Sequence, residues 1–486
     1  MTATYQPFSP TLSFISDTDK AKLLDSALRL LEEIGQKLDH PDAIQIMQKS
    51  GCTVDDEGVV KVSRKLVEAA LKSAPSNIAI YNREGEHVMD LGERRAYYGT
   101  GSDLIYRLEP GTQERHHCRL DDVKSAARLA DALPHIDFVM SFAHPHELNP
   151  SVAYLESFKA MAENTVKPIV NTAEGYADLF EIWKISVILR GSETELCSKP
   201  YWIHYAEPSS PMNHPKNSID KLLLCAEKEM PLIYSPAPIA GSTAPMTIAG
   251  HVTQGLAETL FGLTLHQLKK EGAPFLMGMG AAVLDMATSQ CSYNAPEYLM
   301  AYMTMVEMAK YLDMPNWGYA GTTDSQLPDG QATYEAGLLT FMSSTAGSNL
   351  NHDVGYVDFG RAGSLEMMVI MNDIISQIRR MQKGVIVDEE QIALDVIKEV
   401  GHSDHFLGHP HTHKYFRATQ WRPRLLTRPA FHTWEENGSK TLLQRANDEL
   451  MKIMETHTVQ AIEELKAAEI ESLVSQFRES HQSCAS

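Results

Sequence analysis

The sequence predicts an α/β protein built on a (β/α)8 TIM barrel, with an N-terminal α+β cap and a C-terminal helical extension. Eight short apolar runs between Tyr97 and Asp353 each end in a glycine, polar or aromatic cluster. Each run is followed by a helical segment, and this unbroken alternation favours a parallel sheet. Such a barrel carries its chemistry at the carboxyl ends of its strands. The expected divisions are the cap over 1–95, the barrel over 96–383 and the extension over 384–486.

Taken in chain order, Thr18–Gly35 places Leu23, Leu24, Ala27, Leu28, Leu31 and Ile34 at the spacing of an amphipathic helix, closed by Gly35. Pro41 opens a second helix over Pro41–Ser50. Thr53–Val62 turns at Asp56-Glu57-Gly58 like a hairpin, Ser63 caps a helix to Ser73, and Asn77–Leu91 reads as a second hairpin around Gly85. The eight runs are Tyr97–Gly101, Ile136–Phe142, Lys167–Asn171, Tyr201–Tyr205, Pro231–Ser235, Pro274–Gly278, Asn316–Tyr319 and Asn349–Asp353. Their helical partners are Leu120–Ala132, Pro150–Asn164, Ala177–Leu189, Asn217–Glu229, Thr247–Glu271, Pro296–Leu312, Gly330–Thr345 and Ser364–Gln382. Beyond them come a helix at Asp388–Val400, a histidine-rich loop at Gly401–His413 and a charged amphipathic tract at Lys440–Phe477. That tract is expected to pack on the barrel or to join subunits of a homo-oligomer.

Composition narrows the function. The 43 basic against 63 acidic side chains give a formal charge of −20, without a dense Lys/Arg block. Nucleic acid and anionic membrane are poor partners for such a surface, since both require positive charge. No stretch approaches eighteen consecutive apolar residues, and Met1–Lys20 is polar and lacks a basic end followed by an apolar run. A soluble cytoplasmic protein is expected. The six cysteines are scattered without a CxxC pair, which suits a reducing compartment.

The strand ends carry the candidate chemistry. Gly99-Thr100-Gly101-Ser102-Asp103, the stretch Pro236–Pro245, Gly278-Met279-Gly280 and Gly318–Ser325 are rich in glycine and hydroxyl residues. Each loop read alone is equally a tight turn, but four on one face suit the approach of a wide, flat ligand. Tyr97, Tyr98, Phe142, Trp202, Tyr205, Tyr234, Trp317, Tyr319, Tyr356 and Phe359 gather there with Asp103, Glu207, Asp324, Asp353 and Asp358. Any one ring can be packing; together with carboxylates they suit a cage for a methylated ammonium. His144-Pro145-His146 has the HxH spacing of zinc hydrolases, but lacks the Lys, Asp and second His cluster such sites use, and no bound metal is expected. Neither a GxxxxGK[ST] loop nor a GxSxG elbow is present.

The segment Pro238-Ile-Ala-Gly-Ser-Thr-Ala-Pro-Met-Thr-Ile-Ala-Gly250, followed by Gln254-Gly-Leu-Ala-Glu258, closely resembles the corrinoid-dependent trimethylamine methyltransferase (MttB) family. Leu30-Leu-Glu-Glu-Ile-Gly35, Ala74-Pro75 with Tyr81-Asn-Arg83, Gly321-Thr-Thr-Asp-Ser325 and Phe406-Leu-Gly-His-Pro-His411 look like features of the same family. The resemblance spans essentially the whole chain. It implies transfer of a methyl group from an amine to the Co(I) form of a corrinoid (cobalamin) presented by a separate corrinoid protein. Trimethylamine-using members carry pyrrolysine, whereas only standard residues occur here. Members without it resemble methyltransferases of quaternary amines, glycine betaine:corrinoid methyltransferase foremost, with proline betaine, carnitine and γ-butyrobetaine as alternatives. A quaternary ammonium already has a neutral tertiary amine as leaving group, so no catalytic side chain is assigned.

On that implication, Tyr97, Phe142, Tyr205, Tyr356 and Phe359 form the cage with Glu207 beside it. Asn171, Gln326 and His352 hold the substrate carboxylate, with His352 able to carry positive charge. Gly241, Ser242, Thr243, Gly278, Gly280, Gly321, Thr322, Asp324 and Ser325 meet the corrinoid. A zinc-dependent barrel enzyme and a non-catalytic betaine-binding scaffold are the alternatives from other classes.

Overall fold

The structure, a computed structural model, describes residues 9–482. Its α/β organisation rests on eight short parallel stretches whose pairings return to their starting point. Tyr97–Tyr98 lies beside Leu350–His352, with Tyr97 opposite Leu350, and that strand lies beside Trp317–Tyr319. A bridge from Asn316 to Met277 reaches Phe275–Met277, which continues through Leu232–Tyr234 and Trp202–Ala206 to Ile169–Asn171. Bridges from Ile169 to Val139 and from Phe138 to Gly99 close the ring.

The helices that follow the eight stretches are Leu120–Ala132, Pro150–Asn164, Tyr176–Arg190, Lys216–Glu227, Ile248–Lys269, Pro296–Tyr311, Gly330–Ala346 and Leu365–Gln382. Each expected helix is present, with ends shifted by at most two residues. Their local chemistry is legible: Pro150 and Pro296 occupy first-turn positions, and the side chains of Asn149, Asp329 and Ser364 accept from free backbone N–H groups.

Side-chain alternation divides the ring into two faces. Phe138, Met140, Val170, Ile203, Ile233, Leu276, Trp317 and Leu350 form one buried cluster inside it. Ile78, Ile80, Met89 and Leu91 join that cluster from the hairpin Asn77–Tyr81/His87–Gly92. The hairpin therefore stoppers the amino end, and each such buried side chain contributes about 1.5–3 kcal/mol. The opposite face packs against helices, as where Trp202 meets Phe158 edge-on at 6.5 Å.

The flanking regions follow the expected order with local differences. The first helix, Asp17–Arg29, continues as a π-helical turn over Leu30–Ile34 before Gly35, where φ is +87°. Ser63 stands at the N-cap of Arg64–Ser73, but its side chain makes no capping hydrogen bond. The helix expected at Asp388–Val400 is broken by Ala393, whose φ is +55°, into Glu389–Ile392 and Leu394–Val400. The expected histidine loop instead enters the helix Pro410–Thr419, and the late charged tract divides into Leu442–Thr456 and Glu464–Gln482. Leu442–Thr456 packs on Leu365–Gln382 and Leu120–Ala132, while Glu464–Gln482 packs on Pro150–Asn164 and Tyr176–Arg190. Three hairpins were not legible in the sequence. Tyr106–Leu108 with Arg115–His117 joins Tyr356–Val357 and Ala362–Gly363, and Val283–Leu284 pairs with Cys291–Ser292.

Two half-buried lysines close the amino end. Lys167 donates to the carbonyls of Ala130, Leu133 and Ile136 at 2.6–2.7 Å, and Lys310 donates to Asn349. Burial lowers Lys167 to about 8 and Lys310 to about 7, from an ordinary 10.5. The unfolded chain thus binds more protons between each lowered value and 10.5, so stability rises with pH across that window, by at most about 1.4 kcal/mol per pH unit per lysine. Thermal unfolding from pH 7 to 9 is expected to show this rise, and Lys310→Met to flatten it; an unchanged slope in the variant would remove Lys310 from the account.

Candidate active site

At the carboxyl ends of the ring strands lies a cavity of about 320 Å³. Strand parity sends Tyr205, Tyr319 and His352 into it, two residues beyond Ile203, Trp317 and Leu350 of the interior cluster. Tyr205 donates its phenol hydrogen to Glu207, and its ring lies 5.7 Å from Trp317. Trp317 stacks on His352 at 4.1 Å, while Tyr319 lies 4.5 Å from the same imidazole.

The loops complete the wall. Tyr356 donates to the Ser102 carbonyl at 2.6 Å, which fixes its ring over the cavity. Tyr293 arrives from the segment following Cys291–Ser292; Asp324 holds that segment by accepting from the Tyr293 N–H at 2.9 Å and from the Ser292 hydroxyl. Asp103 and Asp353 enter through left-handed backbone, at φ +64° and +77°. Aspartate tolerates that conformation better than most residues, and held strain of this kind clusters at functional sites. Gly101 makes the close approach possible: a Cβ there would stand 2.1 Å from Asp353 Oδ1 and 2.4 Å from the Tyr356 hydroxyl.

The cavity therefore has four tyrosines and three carboxyl groups, and neither lysine nor arginine lines it. Burial raises Asp103 and Glu207 above their ordinary values, and raises Asp353 far above. Burial also lowers His352 to about 3, so its imidazole is neutral. Its Nδ1 lies 2.7 Å from the Gly318 carbonyl, which requires the hydrogen on Nδ1. Nε2 then carries no hydrogen and faces Asp353 Oδ1 at 3.3 Å. A cation entering the cavity would draw all three carboxyl groups towards ionisation.

The expected substrate residues divide. Tyr205, Glu207, His352 and Tyr356 line the cavity; five others do not. Tyr97 lies at the amino end, where its hydroxyl accepts from the Asp90 N–H at 3.1 Å. Asn171 follows inward Val170 and so lies on the outward face, donating to the Thr172 carbonyl at 3.3 Å. Phe142 has φ +61°, which turns its ring onto Gly355 and Gly363. Phe359 has φ +55° and lies beneath the Arg361 guanidinium at 5.5 Å, and Gln326 is exposed, bound to the Asp324 carbonyl. The positive charge expected on His352 is likewise removed by burial.

Of the residues expected to meet a corrinoid, Gly280 lines the cavity and Gly241–Thr243 form a turn nearby. Gly241 has φ +86° and is backed by Met246, and the side chains of Met246 and Met286 are exposed beside it. The others are occupied. Gly278 abuts Ser235, Gly321 abuts Val354, Thr322 is buried, Asp324 holds the Tyr293 segment, and Ser325 donates to Asp329. Among the described residues no three His, Cys, Asp or Glu side chains converge as metal ligands; His146 stacks on His117 and His144 faces Tyr154. No helix among them is long and apolar enough to cross a membrane.

Sequence reasoning noted Asp103, Asp353 and Tyr319 at strand ends without assigning them roles, and it missed Tyr293. The available signal for the aspartates was a residue tolerant of left-handed backbone directly after a strand. No sequence signal marked Tyr293, which a hairpin brings from outside the ring.

Comparison with known proteins agrees with the family resemblance read from the sequence. The profile of the family described as Trimethylamine methyltransferase (MTTB) matches residues 4–481. Trimethylamine methyltransferase MttB of Desulfitobacterium hafniense (strain DSM 10664 / DCB-2) is 29% identical over 471 residues, covering 97% of this chain and 95% of the relative. Glycine betaine methyltransferase of Desulfitobacterium hafniense (strain Y51) is 26% identical, covering 96% and 97%. Among solved structures, the monomethylamine methyltransferase (MtmB) of Methanosarcina barkeri aligns with a TM-score of 0.48 at 13% identity, over 91% of this chain and 99% of that one. With its profile matched from residue 4 to residue 481, the chain belongs to the trimethylamine methyltransferase (MTTB) family.

Proposed function

We propose that this protein transfers a methyl group from a quaternary methylamine to the Co(I) form of a corrinoid carried by a separate protein. The proposed frame is a (β/α)8 barrel over 96–383, with an α+β cap over 1–95 and a helical extension over 384–486. A cytoplasmic homo-oligomer belongs to the same proposal. The observation that carries the reading is the cavity of tyrosine faces and carboxyl groups without a basic side chain. Ring faces attract an ammonium by about 0.5–2 kcal/mol each, more when water is excluded. Glycine betaine, which would leave as dimethylglycine, is favoured within the class by the family resemblance and by the name of one relative. Proline betaine, carnitine and γ-butyrobetaine share its ammonium head.

Co(I) would supply the electron pair that takes the methyl cation, while the N–C pair remains on the departing neutral amine. Positive charge on nitrogen falls during transfer, so rings and carboxylates that stabilise the ammonium bind the ground state at least as well as the transition state. The contribution of this chain to rate is therefore orientation and exclusion of water. Tyr356, held by Ser102, and Tyr205, held by Glu207, are fixed surfaces against which the ammonium would settle with one methyl towards the mouth. The exposed Gly241–Ser242 turn with Met246 and Met286 fits the face of a flat macrocycle there.

Purified protein, cob(I)alamin and a panel of quaternary amines, with trimethylamine as control, test the reading by the cobalt absorption spectrum and by identification of the demethylated amine. Methyl transfer from at least one quaternary amine is expected; none from any would overturn it. Tyr205→Leu should weaken ammonium binding about tenfold, or about 1.4 kcal/mol. Gly101→Ala should weaken it further by displacing Asp353 and Tyr356, and an unchanged affinity in either variant would take that position out of the site.

Binding should also respond to pH. The free carboxyl groups sit above the ordinary values of 3.8 and 4.5, and a bound cation draws them down. Protons are then released on binding, and affinity rises as pH climbs above the ordinary carboxylate range. Calorimetry of tetramethylammonium in buffers of differing ionisation enthalpy measures the release; proton uptake would contradict this assignment.

A further inference from the structure

We infer that the amine accepted by this cavity carries no carboxylate, being an ammonium whose remaining substituent is uncharged. This rests on the quaternary-amine reading above and departs from it on the substituent, since glycine betaine and the other betaines named there all carry a carboxylate. Charged groups face the cavity from three elements: Asp103 after the first strand, Glu207 after the fourth and Asp353 after the eighth, all acidic. No cation lines the cavity. Lys221, whose charge acts on Glu207 and Asp103 from behind the wall, donates to the Ala173 carbonyl at 2.9 Å, and Arg115 and Arg361 flank Asp358 at 3.4 and 2.9 Å. Arg107 is held by Glu109 and Asp122 at 2.5 and 2.8 Å.

Three of the neutral donors are committed as well. The Tyr205 hydroxyl goes to Glu207, the Tyr356 hydroxyl to Ser102 and the His352 N–H to Gly318. The Asp353 carboxyl group, 6% exposed, has His352 Nε2 as its one polar side-chain contact among the described residues, and its remaining acceptor capacity faces the cavity. It would find its counter-charge in the ligand. A betaine would bring an anion into a space that no basic side chain lines, where its carboxylate meets no counter-charge and opposes the ionisation of the three acids that the ammonium would otherwise draw out, which disfavours binding in a water-poor site. The hydroxyls of Tyr293 and Tyr319, without a hydrogen bond to other described residues, suit the oxygen of an alcohol.

Choline and glycine betaine separate the cases, since they share the trimethylammonium head and have a similar span. With wild-type protein, calorimetric affinity and methyl transfer to cob(I)alamin are measured for choline, tetramethylammonium, glycine betaine and carnitine. Choline is expected to bind at least about tenfold more tightly than glycine betaine. Asp353→Asn and Asp103→Asn should weaken choline and bring the ratio towards one. Glycine betaine binding as tightly as choline, or more so, would overturn the inference while leaving the amine reading in place. Failure of every ammonium, charged tail or not, to bind or donate a methyl group would refute the amine reading and this inference together.

Discussion

Side-chain parity in the ring of parallel strands is the constraint on which the rest of the structure depends. One face of each strand fills the interior against the Asn77–Tyr81/His87–Gly92 hairpin, and the other packs on helices. With the interior positions committed to Phe138, Val170, Ile203, Ile233, Leu276, Trp317 and Leu350, the next inward positions are determined. Tyr205, Tyr319 and His352 reach the cavity for that reason, and Asn171 does not. Left-handed residues at the strand ends then redirect the chain, bringing Asp103 and Asp353 in and taking Phe142 and Phe359 away.

The electrostatics follow from this placement. Carboxyl groups that would be ionised in water are carried into a space walled by rings, where burial favours their neutral forms. The Gly318 carbonyl claims the imidazole hydrogen of His352, so the Nε2 that faces Asp353 carries none, while burial alone raises the Asp353 carboxyl group. Such a site is short of positive charge, and a cationic ligand with little hydration of its own supplies it.

Much of the fold was legible in the sequence because apolar periodicity and turn chemistry are local. Helices such as Leu120–Ala132 and Pro150–Asn164 fall where their spacing puts them, the second opened by Asn149 and Pro150. The site was legible only in part. Tyr205, Glu207, His352 and Tyr356 follow from strand-end position, whereas Tyr97 required knowing which end of the strand it occupied. Phe142 and Phe359 depend on backbone angles that no periodicity reports. Tyr293 depends on the hairpin Val283–Leu284/Cys291–Ser292 and on the distant Asp324 that holds the segment after it. Gly278 and Gly321, read as room for a macrocycle, are instead required by Ser235 and Val354 close by.

The most direct test of a cation site at the strand ends is a crystal structure of the protein soaked with a heavy-atom analogue of tetramethylammonium, such as tetramethylarsonium, with anomalous data. The account predicts one anomalous peak inside the cavity, within about 6 Å of the Tyr205, Tyr319 and Tyr356 rings and beside Asp353. A peak elsewhere on the molecule, with the cavity holding only water, would contradict it.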